Sequence, residues 1–212
     1  MQKGYFITLE GPDGAGKTTQ LARLYAAASA AGLTVVSTRE PGGTPVGDAI
    51  RGILLDPHYG EIIPLTEALL YAASRAQLVK EVIKPALAAG KLVLCDRFID
   101  SSLAYQSFGG GLDFDFVWRT NLAAVDGCLP DKTFILNINP QVGLARRGAA
   151  AADRMEQKSL AFHQRVQQGF LQLAQQFPER LTVIEAERTA PEVFKEIWQQ
   201  VAAAVTSLRG NV

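Results

Sequence analysis

Two cysteines and two histidines are all that this 212-residue chain offers of the side chains that most often bind metals, attack as nucleophiles or shuttle protons. Cys95 closes an apolar run and Cys128 sits in a loop-like segment; their separation matches no metal motif, and both read as buried thiols without chemistry. His58 and His163 stand alone outside any motif, which assigns them surface or packing roles. Charge of neither sign is in excess: 21 basic residues face 21 acidic ones and are scattered, so the electrostatic footprint of a long nucleic acid or an anionic membrane is missing. No apolar run approaches the ~20 residues of a membrane span. Met1 to Gly4 lead at once into an apolar run, which leaves no room for a signal sequence, and a cytoplasmic location is expected. There is no internal repeat and no linker-like change of composition. With 48% hydrophobic and 20% charged residues, residues 1–212 read as one globular domain.

What the chain does have begins at Tyr5. An apolar, β-prone run ends in Gly11-Pro12-Asp13-Gly14-Ala15-Gly16-Lys17-Thr18-Thr19, and the residues from Gln20 onward have the composition and periodicity of a helix. Gly11 to Thr18 satisfies G-x-x-x-x-G-K-[ST] at every fixed position, in the strand-to-helix context that the pattern requires. The residue types follow from electrostatics. Glycines let successive backbone N–H groups turn inward as an anion-binding nest, and the helix that follows aims its positive end at the same place. A triphosphate such as that of ATP fits there, cradled by Gly11, Gly14, Ala15, Gly16, Lys17, Thr18 and Thr19. Lys17 reaches the outer phosphates, and the Thr18 hydroxyl is the expected Mg²⁺ ligand.

Beyond the loop, strand and helix alternate. Strands are expected at Leu33 to Thr38, Lys91 to Asp96, Lys132 to Ile138 and Leu181 to Glu185, with helices around Gly47 to Leu55, Pro64 to Leu87, Phe98 to Gln106, Asp113 to Val125, Met155 to Gln176 and Pro191 to Ser207. Five short strands alternating with helices imply a parallel sheet covered on both faces, an α/β fold with right-handed crossovers. In such sheets ligands bind beyond the carboxyl ends of the strands. The glycine loop, Arg39-Glu40, Asp96-Arg97 and the loop past Ile138 all fall at that edge and should converge on one cleft.

Asp96, at the end of an apolar strand, has the position of a carboxylate that organises Mg²⁺ directly or through water; as an Asp ahead of a helix it also suits an N-cap, and the two roles are compatible. Phosphoryl transfer needs cations on several sides of the transferred group, and the chain offers Lys17, Arg39, Arg97, Arg147 and Arg154. An acceptor that is itself a phosphate needs no general base, in keeping with the absence of a histidine from any motif. A nucleoside acceptor would instead require a carboxylate base, and no Asn-Lys-x-Asp guanine-reading motif marks a GTP switch.

The glycine loop with Asp13, then Thr38-Arg39-Glu40-Pro41-Gly42-Gly43-Thr44, Leu69-Leu70-Tyr71-Ala72-Ala73-Ser74-Arg75-Ala76-Gln77, Asp96-Arg97-Phe98-Ile99-Asp100-Ser101-Ser102-Leu103-Ala104-Tyr105-Gln106 and Asp153-Arg154-Met155-Glu156 together resemble thymidylate kinases of the bacterial type, in family order and over nearly the whole chain. The resemblance implies a P-loop nucleotide kinase fold and Mg²⁺-dependent transfer of the ATP γ-phosphoryl group to dTMP. It implies that Arg39 and Arg97 hold the acceptor phosphate while Glu40 and Asp13 address the sugar 3′-hydroxyl side and the metal environment. Tyr71 falls where the family usually places a Phe that stacks on thymine. Arg75 and Gln106 would read the base edge with support from Ser102, Arg51 would line the wall, and Tyr105 would press on the sugar and disfavour a 2′-hydroxyl. A lid at about 142–156 would bring Arg147 and Arg154 to the donor phosphates as catalytic cations beside Lys17, Asp13 and Arg97. A homodimer through surface helices is implied as well. The lid centre, Gly148-Ala149-Ala150-Ala151-Ala152, is poorer in arginine than the family pattern, and Gly110 stands where a Gly-Arg-Gly is frequent.

Overall fold

The computed structural model describes residues 4–147 and 153–209. Its centre is a five-stranded, all-parallel sheet in the order β2-β3-β1-β4-β5, built from β1 (Tyr5–Glu10), β2 (Val35–Arg39), β3 (Leu92–Asp96), β4 (Lys132–Asn137) and β5 (Leu181–Glu185). The two-residue period of a strand sorts side chains between the faces. Ile7 and Leu9 of β1, Leu92 and Leu94 of β3, and Phe134 and Leu136 of β4 share one core with α1 (Lys17–Ala30) and the last helix, Ala190–Arg209. Their alternates, Phe6, Val93 and Cys95, pack with Leu78, Val79, Ile83 and Phe98 on the opposite face. Ile135 joins Tyr105, Val117, Phe162 and Phe170 there. Both faces are covered, as near-continuous apolar strands require.

Helix α2 (Pro45–Leu55) starts where Thr44 accepts from the Gly47 N–H at 3.0 Å and Pro45 supplies a preset first turn. The long helix expected from Pro64 is α3 (Pro64–Leu78), a π-helical stretch over Val79–Ile83, and α4 (Lys84–Ala88). Pro85 explains the interruption, because it has no N–H for the carbonyl one turn earlier, and a widened turn absorbs the missing bond. A second π-helical stretch, Leu103–Gly109, extends α5 (Ile99–Ser102) along the cleft. Next come α6 (Phe114–Val125), α7 (Pro140–Arg147) and α8 (Leu160–Gln176), with α9 at Ala190–Arg209.

The helix expected from Met155 begins only at Leu160, where Ser159 caps it by accepting from the Phe162 N–H at 3.2 Å. Before that cap the chain makes a tight local turn. The Asp153 carboxylate accepts from the N–H groups of Met155 and Glu156 at 2.9 Å each, and Glu156 accepts from the N–H of Asp153 at 3.0 Å. That reciprocal pattern is a capping box, legible as Asp153-x-x-Glu156, but it closes a turn that stops short of a helix, and the helix itself starts only after Ser159. Among the described residues no helix is long and apolar enough to cross a membrane.

Candidate active site

The glycine loop follows β1 directly, and its path is set by positive backbone φ at Gly14 and Gly16 (75° and 90°), where a side chain would be strained. Gly16 caps α1 without any side-chain bond, so the N–H groups of the first turn remain available to an anion. Lys17 folds back over the loop and donates from Nζ to the carbonyls of Gly11 and Pro12 at 3.0 and 2.8 Å. Burial, and then the nearby Arg97 guanidinium, bring its ammonium down to about 8. The Thr18 hydroxyl donates to Asp96 Oδ2 at 2.9 Å, leaving the hydroxyl oxygen's lone pairs free. A basin of about 810 Å³ lies over the loop, with Lys17, Thr18, Asp96, Arg39, Arg51 and Arg146 on its walls.

Arg97 stands between this basin and a smaller cavity of about 190 Å³, and it lines both. Its backbone is left-handed, with φ at 67°. Two bonds hold it so: its own N–H reaches the Leu9 carbonyl at 2.9 Å, and the next N–H, of Phe98, reaches the buried Glu10 carboxylate at 2.7 Å. The guanidinium then donates to the Gly11 carbonyl at 2.9 Å, Ser101 Oγ at 3.1 Å, the Tyr105 hydroxyl at 3.2 Å and, as a close ion pair, Asp13. Burial works to raise the Asp13 carboxyl, but Arg97 and Lys17 together keep it down at about 2. Glu10 goes the other way: burial and then the Asp100 carboxylate push it up to about 7, against the bond from Ser101 and the charge of Arg97.

The smaller cavity is walled by Tyr71, Arg75, Ser102, Tyr105, Gln106 and Glu40, among others. Arg75 is 1% exposed and all five of its N–H donors are committed. Nε, at 2.8 Å, and Nη2 reach Glu40 Oε2; Nη2 also reaches the Phe98 carbonyl at 3.0 Å; Nη1 reaches Ser102 Oγ at 2.9 Å and Asn121 Oδ1. The other Glu40 oxygen, Oε1, is buried without a partner among the described residues. Burial pushes the Glu40 carboxyl up to about 7 in spite of Arg75. Tyr71 is half-buried, and burial, then the Glu67 carboxylate, push its phenol up. Gln106 donates from Nε2 to Glu67 Oε1 at 2.9 Å. Asp13, Glu40, Arg51, Arg97 and Glu156 border both cavities, which makes the two one continuous cleft.

A cleft that joins a phosphate nest to a cavity with an aromatic wall and amide and guanidinium groups suits two nucleotides placed tail to tail. The comparisons with known proteins agree. The family model described as thymidylate kinase matches residues 9–197. The thymidylate kinase of Deinococcus radiodurans is 54% identical over 205 residues, covering 95% of this chain and 98% of that protein. The chain belongs to the thymidylate kinase family. The thymidylate kinase of Geobacillus thermodenitrificans is 46% identical over 98% of this chain and 92% of its own length. The crystal structure of thymidylate kinase from Ehrlichia chaffeensis superposes with a TM-score of 0.75 at 33% identity, covering 94% of this chain and 99% of that one. The P-loop nucleoside monophosphate kinase fold is thereby shown.

Against that family background, most residues singled out in the sequence do gather at the cleft. Gly14, Gly16, Lys17, Thr18 and Thr19 lie at the larger basin with Asp96, while Tyr71, Arg75, Ser102, Tyr105 and Gln106 lie at the smaller cavity. Arg39 is exposed and lines the larger basin together with Arg97, and it does not border the smaller cavity. Arg154 departs further from the reading that made it a catalytic cation of the lid. It is 5% exposed, donates from Nε to the Leu54 carbonyl at 2.8 Å, and forms an ion pair with buried Glu67. Its own N–H is bonded to the Leu55 carbonyl at 3.1 Å, and its neighbours Asp153, Met155 and Glu156 line the smaller cavity. The side chain of Arg147 and residues 148–152, the centre of the expected lid, lie outside the described residues.

Sequence reasoning missed three residues that hold the others in place. Glu10 fixes the Arg97 turn, Asn121 takes one Arg75 donor, and Glu67 ties Gln106 to Arg154. For Glu67 a signal existed: Glu67, Tyr71 and Arg75 are spaced four apart and share a helical face.

Proposed function

We infer that this chain transfers the γ-phosphoryl group of ATP to dTMP, giving dTDP and ADP. The observation that carries the reading is the placement of Arg97, bonded to the glycine loop at Gly11 and lining both cavities at their junction. An acceptor phosphate in the smaller cavity and a triphosphate tail on the loop meet at that guanidinium. An oxygen of the dTMP phosphate attacks the γ-phosphorus, the bond to the β,γ-bridging oxygen breaks, and ADP leaves with the electron pair. The attacking oxygen is already anionic at neutral pH, so no base is needed. The chain's task is positioning and charge neutralisation. Lys17 would exchange its bonds to the Gly11 and Pro12 carbonyls for donor phosphate oxygens, and Arg97 would bridge donor and acceptor. Asp13, which holds Arg97 from one side, orients it.

In the acceptor cavity, Tyr71 would stack on thymine and Tyr105 would abut the sugar. The unpaired Oε1 of Glu40 is an acceptor for the 3′-hydroxyl. Since every Arg75 donor is engaged, Arg75 would face the base as a rigid cationic wall, with Ser102 fixing its orientation, unless it exchanges a protein partner for a base carbonyl. Gln106 and Arg51 complete the walls, and Arg39 would approach the reacting phosphates from the donor side. For Mg²⁺, the Thr18 hydroxyl and the Asp96 carboxylate form a hard oxygen pair suited to it, to be completed by phosphate oxygens and water. When bound, the ion would neutralise charge on the donor phosphates.

A cytoplasmic enzyme of one domain, with a lid at about 142–156, fits this reading. So does a homodimer. Three neighbouring helices carry solvent-facing apolar stripes: Val46 and Ile53 on α2, Leu65 and Leu69 on α3, Phe116 and Leu122 on α6. The decisive assay is coupled turnover with ATP and a panel of monophosphates. We expect dTMP to be preferred, and equal or better use of dUMP, dCMP or AMP overturns the substrate assignment.

A further inference from the structure

We propose that Arg154 is a positioning residue of the acceptor pocket, which acts through Glu67 to fix the orientation of the Gln106 carboxamide and so helps to set the preference for thymine. The proposal rests on the reading that dTMP occupies the smaller cavity.

Oxygen acceptors on the acceptor side of the molecule seat Arg154. Its N–H donates to the Leu55 carbonyl at 3.1 Å, its Nε to the Leu54 carbonyl at 2.8 Å, and its Nη2 to Glu67 Oε2. Its neighbours Asp153, Met155 and Glu156 line the acceptor cavity. Glu67 divides its two oxygens: Oε2 takes Arg154 and Oε1 takes Gln106 Nε2 at 2.9 Å. All three side chains are nine-tenths or more buried, so each is held where it is. The ionised carboxylate can only accept, and it therefore dictates which end of the Gln106 carboxamide faces it. With Nε2 turned to Glu67, Oε1 is the acceptor left for a ligand. Thymine offers a donor at N3–H, whereas the corresponding cytosine nitrogen is itself an acceptor.

The Arg154 guanidinium is the partner that holds Glu67 Oε2 in a buried place, and so fixes where Oε1 stands. Without it, Oε2 is left without its partner and the carboxylate is free to turn away from Gln106 toward another donor. Gln106 Nε2 then loses the acceptor that orients it, the carboxamide is free to turn over, and the pocket can present N–H where thymine needs an acceptor.

The test is steady-state kinetics of Arg154→Met, Arg154→Lys and Glu67→Gln, with ATP and the monophosphate varied separately and circular dichroism confirming the fold. For Arg154→Met we expect KM for dTMP to rise roughly tenfold or more, the effect of losing a bond to a charged group, with KM for ATP within about twofold. The ratio of kcat/KM for dTMP over dCMP should fall in the same variant. Arg154→Lys, which keeps a cation beside Glu67, should recover most of both. In the double variant Arg154→Met/Glu67→Gln the effects should fall well short of multiplying, because both changes act through one chain of bonds. If Arg154→Met does not fold, Arg154→Lys and Glu67→Gln still report the dTMP KM and the base preference. A raised KM for ATP with an unchanged KM for dTMP overturns the proposal and returns Arg154 to the donor phosphates. Unchanged constants in folded variants overturn it too. A wild-type chain that fails to use dTMP sinks the underlying reading instead, and the two failures are thereby told apart.

Discussion

Replacing Gly143 by alanine isolates a contact on which the donor site depends. Gly143, on α7, lies against the glycine loop so closely that a Cβ there would sit 2.3 Å from the Asp13 carbonyl oxygen; conversely, a Cβ on Gly14 would sit 2.0 Å from the Gly143 carbonyl oxygen. The obstructing atoms are backbone, so no rotamer change relieves the clash. Reaching an ordinary contact of about 3.5 Å requires a shift on the order of 1 Å. The loop cannot easily supply it: Lys17 grips Gly11 and Pro12, and Arg97 grips Gly11 and Asp13. The movement falls to α7, which carries Arg146 on the donor basin with its Nη1 bonded to the Ala186 carbonyl at 3.0 Å. Overpacking of this kind costs about 1–3 kcal/mol of stability, and a misplacement near 1 Å can slow a phosphoryl transfer by up to about 100-fold. We therefore expect Gly143→Ala to lower the melting temperature and to lower kcat/KM for ATP by roughly tenfold to 100-fold, while KM for dTMP stays within about threefold. Initial rates with ATP varied at saturating dTMP and with dTMP varied at saturating ATP, beside thermal melts, read all three. Gly52→Ala is the control: nothing lies within 4 Å of a Cβ there, in the middle of α2. It should add about 0.5–1 kcal/mol of stability through helix propensity and leave the kinetics alone. Wild-type ATP kinetics and an unshifted melt for Gly143→Ala would refute the argument.

Lys17→Ala should abolish turnover, measured in the coupled assay, while the far-ultraviolet dichroism stays native, because the lysine bonds only to loop carbonyls. Since burial and then Arg97 bring the Lys17 ammonium to about 8, its charge is complete below that pH and is lost above it. KM for ATP should accordingly climb as pH rises through about 8, and a flat profile between about pH 7 and about pH 9 would count against a phosphate role. Glu10, raised to about 7 by burial and then by Asp100, binds more proton in the folded than in the unfolded chain. Its contribution is therefore present below its unfolded value and lost as pH rises through about 7. Melting temperatures of Glu10→Gln should show a shallower decline between about pH 5 and about pH 7 than wild type, and an identical slope would show that Glu10 is not the titrating group. Leu69→Glu, on the apolar stripe of α3, should shift the mass in light scattering from dimer to monomer; an unchanged mass places the interface elsewhere.

The sheet was legible in the sequence where its cause is local. The glycine loop, its strand and its helix follow from neighbours within a few residues, and β5 falls at Leu181–Glu185 as its β-branched run implies. Strand order was not legible, because placing β3 between β1 and β2 depends on pairings such as Ile7 with Leu94 and Ser37 with Leu94, which no local pattern encodes. The arginines show the same limit in the site. Arg39, Arg75, Arg97 and Arg154 are one residue type with one charge; a phosphate reading recruits Arg39, Arg97 and Arg154, and the family resemblance gives Arg75 to the base. What separates them is which acid each meets. Glu40 is 35 residues from Arg75, Asp13 is 84 from Arg97, and Glu67 is 87 from Arg154. A buried carboxylate captures a guanidinium whenever the fold brings them together, because either charge left alone in the interior is far more costly than the pair. The fold thus withdraws Arg75 and Arg154 into the walls, leaves Arg97 shared between Asp13 and the loop, and leaves Arg39 exposed at the basin. The sequence names the cations available for phosphate, and only the three-dimensional partnering of the acids decides which of them remain free to bind it.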